Sequence, residues 1–423
     1  MAGRASTTES ASALPVVAAT FAGQCAAAFG FLAVDLLAPS LAAETGLNKR
    51  DFSFGATFVF LGVLLSSPYA GAILKRLGSV RLMATALFGM SAGMLSILHG
   101  SWLSTMIACA LFGLCYGVYS PASVAVVASR APERRRGLYM SIRQSGVPFA
   151  GALAGRLLPP IILAYGWWSG VFTISAVIAG GAVLTLLLPG LFRISAAELS
   201  AVATADELQS KVERPKSGIA WRLSQAYSLP ADIRLLGFAA VGLAISHTAL
   251  TSFAYFYLLE ELGFSVIHAG LYLSNTLLAA ALGRPFVGWL VDRTGSPVRV
   301  LAGVATVAAI TYAALLALNA DSSRVLVALV AVAAGISSGT WTPVFLTAVS
   351  NYAPPGRMTE LNGRAFSYAA LGWTAAAPLV WSLIELSGGY ATPMLLLLGC
   401  NLLIALGLLR IGETGRDSRA RIA

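Results

Sequence analysis

A chain of 423 residues that is 57% hydrophobic and only 11% charged does not have the surface of a water-soluble globule, which normally draws about a quarter of its residues from charged types. Its net charge of +10 does not point to nucleic acid, because the basic residues sit in short turns between apolar runs, as cytoplasmic loops do. All four cysteines, Cys25, Cys109, Cys115 and Cys400, fall inside apolar runs, which argues against a disulfide framework.

The polar opening MAGRASTTESASALP leads into an apolar run too long for the core of a signal peptide, so no cleaved signal is expected. A helix crossing a hydrocarbon core of about 30 Å needs about 20 apolar residues. Runs of that kind occur at 15–41, 53–74, 82–99, 103–128, 138–165 and 168–188, then at 235–259, 265–291, 300–319, 324–349, 362–386 and 391–409. The long polar interval 190–233 divides these twelve spans six and six. The expected fold is therefore an all-α polytopic membrane protein: an N-terminal six-helix bundle at 1–189, a cytoplasmic linker at 190–233 and a C-terminal six-helix bundle at 234–423. A soluble helical repeat would need a polar face on each helix, and these runs have almost none.

Orientation follows from Lys and Arg. With a cytoplasmic amino terminus, the inner loops hold Lys75, Arg76, Arg81, the run Arg134-Arg135-Arg136, Arg293, Arg299 and Arg357, and the outer loops hold only Lys49, Arg50 and Arg324. This asymmetry places both termini in the cytoplasm. The expected location is a bacterial-type inner membrane.

Residues 71–80 read GAILKRLGSV and residues 288–297 read GWLVDRTGSP, each joining the second and third spans of its half. The turn resembles the signature loop G-x-L-x-D-R-x-G-R-[RK] of the major facilitator superfamily. That resemblance implies two six-helix bundles related by a pseudo-twofold axis and working by alternating access. It also implies that the acid of the loop caps the positive end of a helix from the opposite half. Asp292 can serve in this way at the start of the fifth span, near Arg136, where a carboxylate suits a helix amino terminus. Lys75 cannot. It either approaches Glu360, in the first turn of the eleventh span, or is simply a basic residue holding its loop inside; Arg76 and Arg293 complete the gating set. The fourth span departs from the family as well. Its segment Gly113-Leu114-Cys115-Tyr116-Gly117-Val118-Tyr119-Ser120-Pro121 has Cys109 where many members carry an Arg, so the proton-coupling role of that Arg does not transfer.

Ionisable residues deep in a bilayer are costly unless they face a cavity or a partner. Arg284 lies eight residues before Asp292, about 12 Å into the membrane at 1.5 Å per residue. Its Arg-Pro pair resembles that of the monocarboxylate transporters, which implies an Arg that receives the substrate carboxylate; the acid those proteins carry one turn earlier is Ala280 here. Arg143 lies at a similar depth in the fifth span, followed by Gln144 and Ser145, in a segment that resembles cyanate-permease-like and organic-anion members. For Arg284 the alternative is bonding to backbone carbonyls, and for Arg143 a gate or head-group role. Asp35 and Arg156, both towards the outer ends of their spans, suggest an ion pair, in which Asp35 is the member able to carry a proton. His247, in the middle of its span, has an ordinary pKa suited to a proton-linked step, or is a neutral ring bonded to a carbonyl. Asn275, Trp341, Trp373, Tyr116, Tyr119 and Tyr255 are candidates to line a cavity, and Trp167 and Trp168 read as interfacial anchors.

No phosphate loop, metal-ligand spacing or catalytic triad can be read, so the expectation is not an enzyme, without cofactor or metal. The expected activity is secondary transport of a small organic anion, a carboxylate, coupled to protons, by a monomer in the lipid bilayer. Two rivals stand beside it. A proton-driven exporter of drugs or metabolites would more often show an acidic, aromatic cavity. A transporter-like sensor or assembly partner that moves nothing would be expected to carry a signalling module.

Overall fold

A computed structural model describes residues 2–31, 33–45, 54–131, 136–194, 231–352 and 358–420, all helix or short turn. Clustering of contacts divides the chain into two compact units, Met1–Asp206 and Glu207–Ala423.

In the first unit, α1 (Ala2–Phe29) stops at Gly30 and the chain resumes as α2 (Ala33–Thr45). A Cβ on Gly30 would meet the Phe112 ring at 2.9 Å, so the break is packed too closely for a side chain. The run read as one span is thus two helices in series. The second span is also broken: α3 (Gly55–Ser66) and α4 (Ala70–Leu77) meet at 65° across a 3₁₀ turn, Ser67–Tyr69. Pro68 in that turn has no N–H with which to continue the α ladder. Then follow α5 (Ser79–Leu95), α6 (Trp102–Arg130), α7 (Arg136–Tyr165), α8 (Trp167–Leu187) and the single turn α9 (Pro189–Phe192). A capping box of Ser101 and Ser104 starts α6.

The second unit holds α10 (Ala231–Thr248), a π turn (Ala249–Phe253), α11 (Ala254–Glu260), α12 (Val266–Thr294), α13 (Pro297–Leu316), α14 (Arg324–Tyr352), α15 (Met358–Ser387) and α16 (Ala391–Ala420). Among the described residues, eleven helical segments are long and apolar enough to cross a membrane, and twelve if the bent α3–α4 pair is one span.

The two units use the same internal wiring. In the first, α3 packs on α6, α5 on α6 and α8, and α1 on α7; in the second, α12 packs on α14, α13 on α14 and α16, and α10 on α15. The tightest of these pairs have a sequence cause. Residues 113–121, GLCYGVYSP, recur as 335–343, GISSGTWTP, so that G-x-x-x-G-x-x-x-P occurs in both α6 and α14. A Cβ on Gly113 would strike the Val59 carbonyl of α3, and one on Gly335 would strike the Thr276 carbonyl of α12. Small residues at this spacing let helix backbones approach in lipid.

The repeated turn also has a backbone cause. Gly78 and Gly295 occupy matching places and adopt φ of 75° and 60°, a region that side chains with a Cβ enter only at a cost. At the other end of each unit the same fastening appears twice. Trp167, opening α8, donates its indole N–H to Glu44 at the end of α2 at 2.7 Å. Tyr390, just before α16, donates its hydroxyl to Glu260 at the end of α11 at 2.7 Å. Burial, and then Glu260, hold the Tyr390 phenol well above its ordinary pKa, so it remains a donor. Trp167 is therefore a buried fastening rather than an interfacial anchor, whereas Trp168 is exposed.

Candidate functional site

Each of these apolar units holds an arginine-centred polar cluster among the described residues. In the first unit α7 carries Arg143, which is 1% exposed. Its Nε donates to Ser123 Oγ at 2.7 Å, Nη1 to Gln144 Oε1 at 3.1 Å, and Nη2 to Gln24 Oε1 at 2.7 Å and to the Ser120 carbonyl at 3.1 Å. The Ser120 hydroxyl lies 3.4 Å from the same Nη2. Gln24 in turn donates to the Tyr116 hydroxyl at 2.7 Å, and Tyr116 packs between Phe31 and Phe112. Every acceptor is neutral. The guanidinium has five N–H donors; these contacts occupy four and leave one on Nη1, and no carboxylate offsets the charge among the described residues.

Tyr119 is buried beside this cluster, near Ser123 and Arg143. Among the described residues its hydroxyl makes no hydrogen bond of good geometry, and it points at α1, where a Cβ on Gly23 would come within 2.6 Å of it. Gln144 is exposed at the rim of the cluster.

In the second unit the cluster forms on two consecutive carbonyls of α14. Pro343 lacks the N–H that would bond to the Gly339 carbonyl four residues earlier. That carbonyl accepts instead from Arg284 Nε of α12 at 3.0 Å. The neighbouring Ser338 carbonyl lies 2.8 Å from His247 Nδ1 of α10, which makes Nδ1 the protonated ring nitrogen. Arg284 is close enough for its charge to act on the ring. The π turn that begins two residues after His247 is a distortion common at functional sites. Trp373 meets the His247 ring edge-on and packs on Trp341, which is 1% exposed and also contacts Phe345. Trp341 is thus a core side chain of the second unit.

The remaining candidates lie elsewhere. Asp35 is buried in the first turn of α2, near enough to Cys109 of α6 for its charge to act there. It faces the place where the resemblance would put an arginine. Arg156 lies on the exposed face of α7 and makes no hydrogen bond or ion pair among the described residues, so the expected Asp35–Arg156 pair is not formed: similar depth did not bring the two onto facing sides. Asn275 sits nine residues before Arg284 on α12, in a cleft at the far end of that helix. Lys75 and Arg76 are exposed in the last turn of α4, where cations suit a helix carboxyl end. Asp292 and Arg293 are exposed at the end of α12, with the Arg293 guanidinium 5.5 Å from the Trp289 ring centre. The side chains of Arg136 and Glu360 lie outside the described residues.

Sequence reasoning missed Gln24, Ser120 and Ser123 around Arg143, Ser338 beside His247 and Gly339 beside Arg284. A signal was present for both sets. Gln24 is a long polar side chain in the otherwise apolar stretch FAGQCAAAFG, and the second G-x-x-x-G-x-x-x-P marks the carbonyl that Pro343 releases.

The family model of the Major Facilitator Superfamily matches residues 20–380. The chain belongs to that superfamily. It is 28% identical over 395 residues to an uncharacterized MFS-type transporter of Mycobacterium tuberculosis, covering 88% of this chain and 82% of the relative. It is 27% identical over 395 residues to a gallate transporter of Pseudomonas putida, covering 87% and 84%. Among solved structures it resembles a peptide transporter POT (TM-score 0.73, 16% identity, 94% of this chain and 95% of the other). It also resembles the nucleoside transporter NupG (TM-score 0.72, 13% identity, 94% and 99%). These two likenesses establish the superfamily's fold and say nothing of substrate.

Proposed function

We propose that this major facilitator protein is a secondary transporter that carries a small organic anion, a carboxylate, across a bacterial-type inner membrane by alternating access, driven by protons. The observation that carries this reading is the Arg143 cluster: a buried guanidinium held only by neutral acceptors, with one N–H left over. An uncompensated buried charge is expensive, and inside a membrane it marks a substrate or ion path. The likeness to a gallate transporter supports a carboxylate as the anion. In this reading Arg143 and Arg284 are the anion contacts, with Gln144 at the rim of the first. Asp35 or His247 carries the proton, and the two turns around Lys75, Arg76, Asp292 and Arg293, with Arg136 and Glu360, serve as gates. Both termini are cytoplasmic and the protein acts as a monomer.

The test is uptake of labelled gallate and benzoate into vesicles holding the purified protein, with an imposed pH gradient. Saturable uptake that collapses with the gradient, and is lost in Arg143→Gln, is the expected result. Asp35→Asn or His247→Gln should abolish accumulation while sparing exchange, whichever residue carries the proton. Gradient-driven movement of lipophilic cations with no carboxylate uptake would overturn the proposal.

A further inference from the structure

The amino ends of α12 and α14, with the loops that lead into them, enclose a cleft of about 410 Å³. That lies within the range of small-ligand pockets, roughly 300–1,000 Å³. The cleft sits at the end of α12 remote from the repeated turn, so it opens towards the opposite face of the membrane. Its polar lining comes from Ser265, His268, Tyr272, Asn275, Ser322 and Arg324.

Three features give this lining a sign. Arg324 and His268 are its only side chains that can carry positive charge, and it contains no acid; Asp321, next to Ser322, and Glu260 and Glu261 are not part of it. Arg324 and the Asn275 amide make no hydrogen bond or ion pair among the described residues. His268 is held by Ser265, whose hydroxyl oxygen lies 2.9 Å from Nδ1 and accepts from the His268 backbone nitrogen at 3.4 Å; Nε2 makes no hydrogen bond among the described residues. Two 29-residue helices also begin here, and their amino ends add positive potential to that of the side chains. Asn275 is about 13 Å along α12 from Arg284 at 1.5 Å per residue, too far to share one small ligand with it.

We infer that this cleft is a second anion site, which takes a small carboxylate at the membrane face opposite the repeated turn, with Arg324 as the charge contact and Asn275 as the hydrogen-bonding contact. The choice of a carboxylate rests on the transport reading above; the positive character of the cleft does not.

The test places a reporter thiol on the lining by Ala328→Cys in the full-length protein, with the rate of the parent chain subtracted for its own cysteines. Labelling by an anionic sulfonatoethyl methanethiosulfonate is compared with labelling by its cationic trimethylammonium counterpart, each normalised to a free thiol. One unit charge about 6 Å away in water moves the two rates in opposite directions and their ratio by about tenfold. The ratio should favour the anion by about that factor and fall towards one in Arg324→Gln, and benzoate should slow labelling only where Arg324 and Asn275 are intact. A ratio that favours the cation, or is unchanged by Arg324→Gln, overturns the site. Anion selectivity without protection by benzoate overturns its carboxylate ligand. Protection without vesicle uptake would sink the transport reading and keep the cleft; uptake by a protein that benzoate does not protect would do the reverse.

Discussion

The helix packing can be tested by changing one atom. Gly62 of α3 faces α6 so closely that a Cβ would lie 2.6 Å from the Ala110 carbonyl and 2.7 Å from the Leu114 nitrogen, both backbone atoms that cannot swing aside. Ordinary contact begins at 3.4 Å, so in Gly62→Ala the two helices must part by about 0.8 Å. A gap of about 0.5–1 Å forfeits a quarter to a half of each dispersion contact along the seam, and overpacking of this kind costs about 1–3 kcal/mol. Alanine recovers up to about 1 kcal/mol through helix propensity, and an alanine that meets no obstacle gains the same, so Gly62→Ala should be about 1–3 kcal/mol less stable than such a control. For a unit of this size each kcal/mol moves the midpoint by roughly 2–4 °C, so its apparent Tm in detergent should lie about 2–12 °C below that of the control. Gly303→Ala and Gly399→Ala, where a Cβ meets nothing within 4 Å, serve as controls and should hold or slightly raise the parent's midpoint. Equal shifts in Gly62→Ala and the two controls would refute the close-packing argument.

Three further outcomes follow from the same geometry. Ser123→Ala or Gln24→Leu removes one acceptor from the buried Arg143 and should lower stability by about 1.5–3 kcal/mol, the range for hydrogen bonds to charged groups; Ser145→Ala, outside the cluster, should be near neutral in the same melting assay. Trp167→Phe and Tyr390→Phe each delete one bond to a glutamate and should cost similar amounts, about 1.5–3 kcal/mol, whereas Trp168→Phe should change nothing measurable. Gly78→Ala and Gly295→Ala force a Cβ into a positive-φ turn at about 1–2 kcal/mol each, and asparagine at either place should be milder because it tolerates that region better.

The span count and the two-unit plan were legible because apolar runs and their spacing state them directly. The breaks at Gly30 and Pro68 were not: hydropathy is blind to a helix that stops and restarts within an apolar run. Arg143, Arg284 and His247 were visible as charges where charge is expensive, but their neighbours were not. Gln24 lies 119 residues from Arg143, and only folding brings them together. Asp35 and Arg156 show the limit of depth alone, since equal depth leaves open which face of the helix a residue occupies. Asn275 illustrates the same point along the axis: it shares a helix with Arg284 and belongs to a different cleft.

The most direct test of the central claim is a melting screen of the purified protein against small carboxylates, inorganic anions and lipophilic cations, repeated with Arg143→Gln and Arg284→Gln. A ligand that binds only the folded state and is present at one hundred times its Kd adds about 2.7 kcal/mol, or roughly 5–10 °C in Tm at the scaling used above. With the second cleft removed by Arg324→Gln in every protein compared, the account predicts a rise of that order with one class of carboxylate, absent when Arg143→Gln is added, relative to that variant's own ligand-free midpoint. Stabilisation by lipophilic cations, or by anions equally in all three proteins, would contradict it.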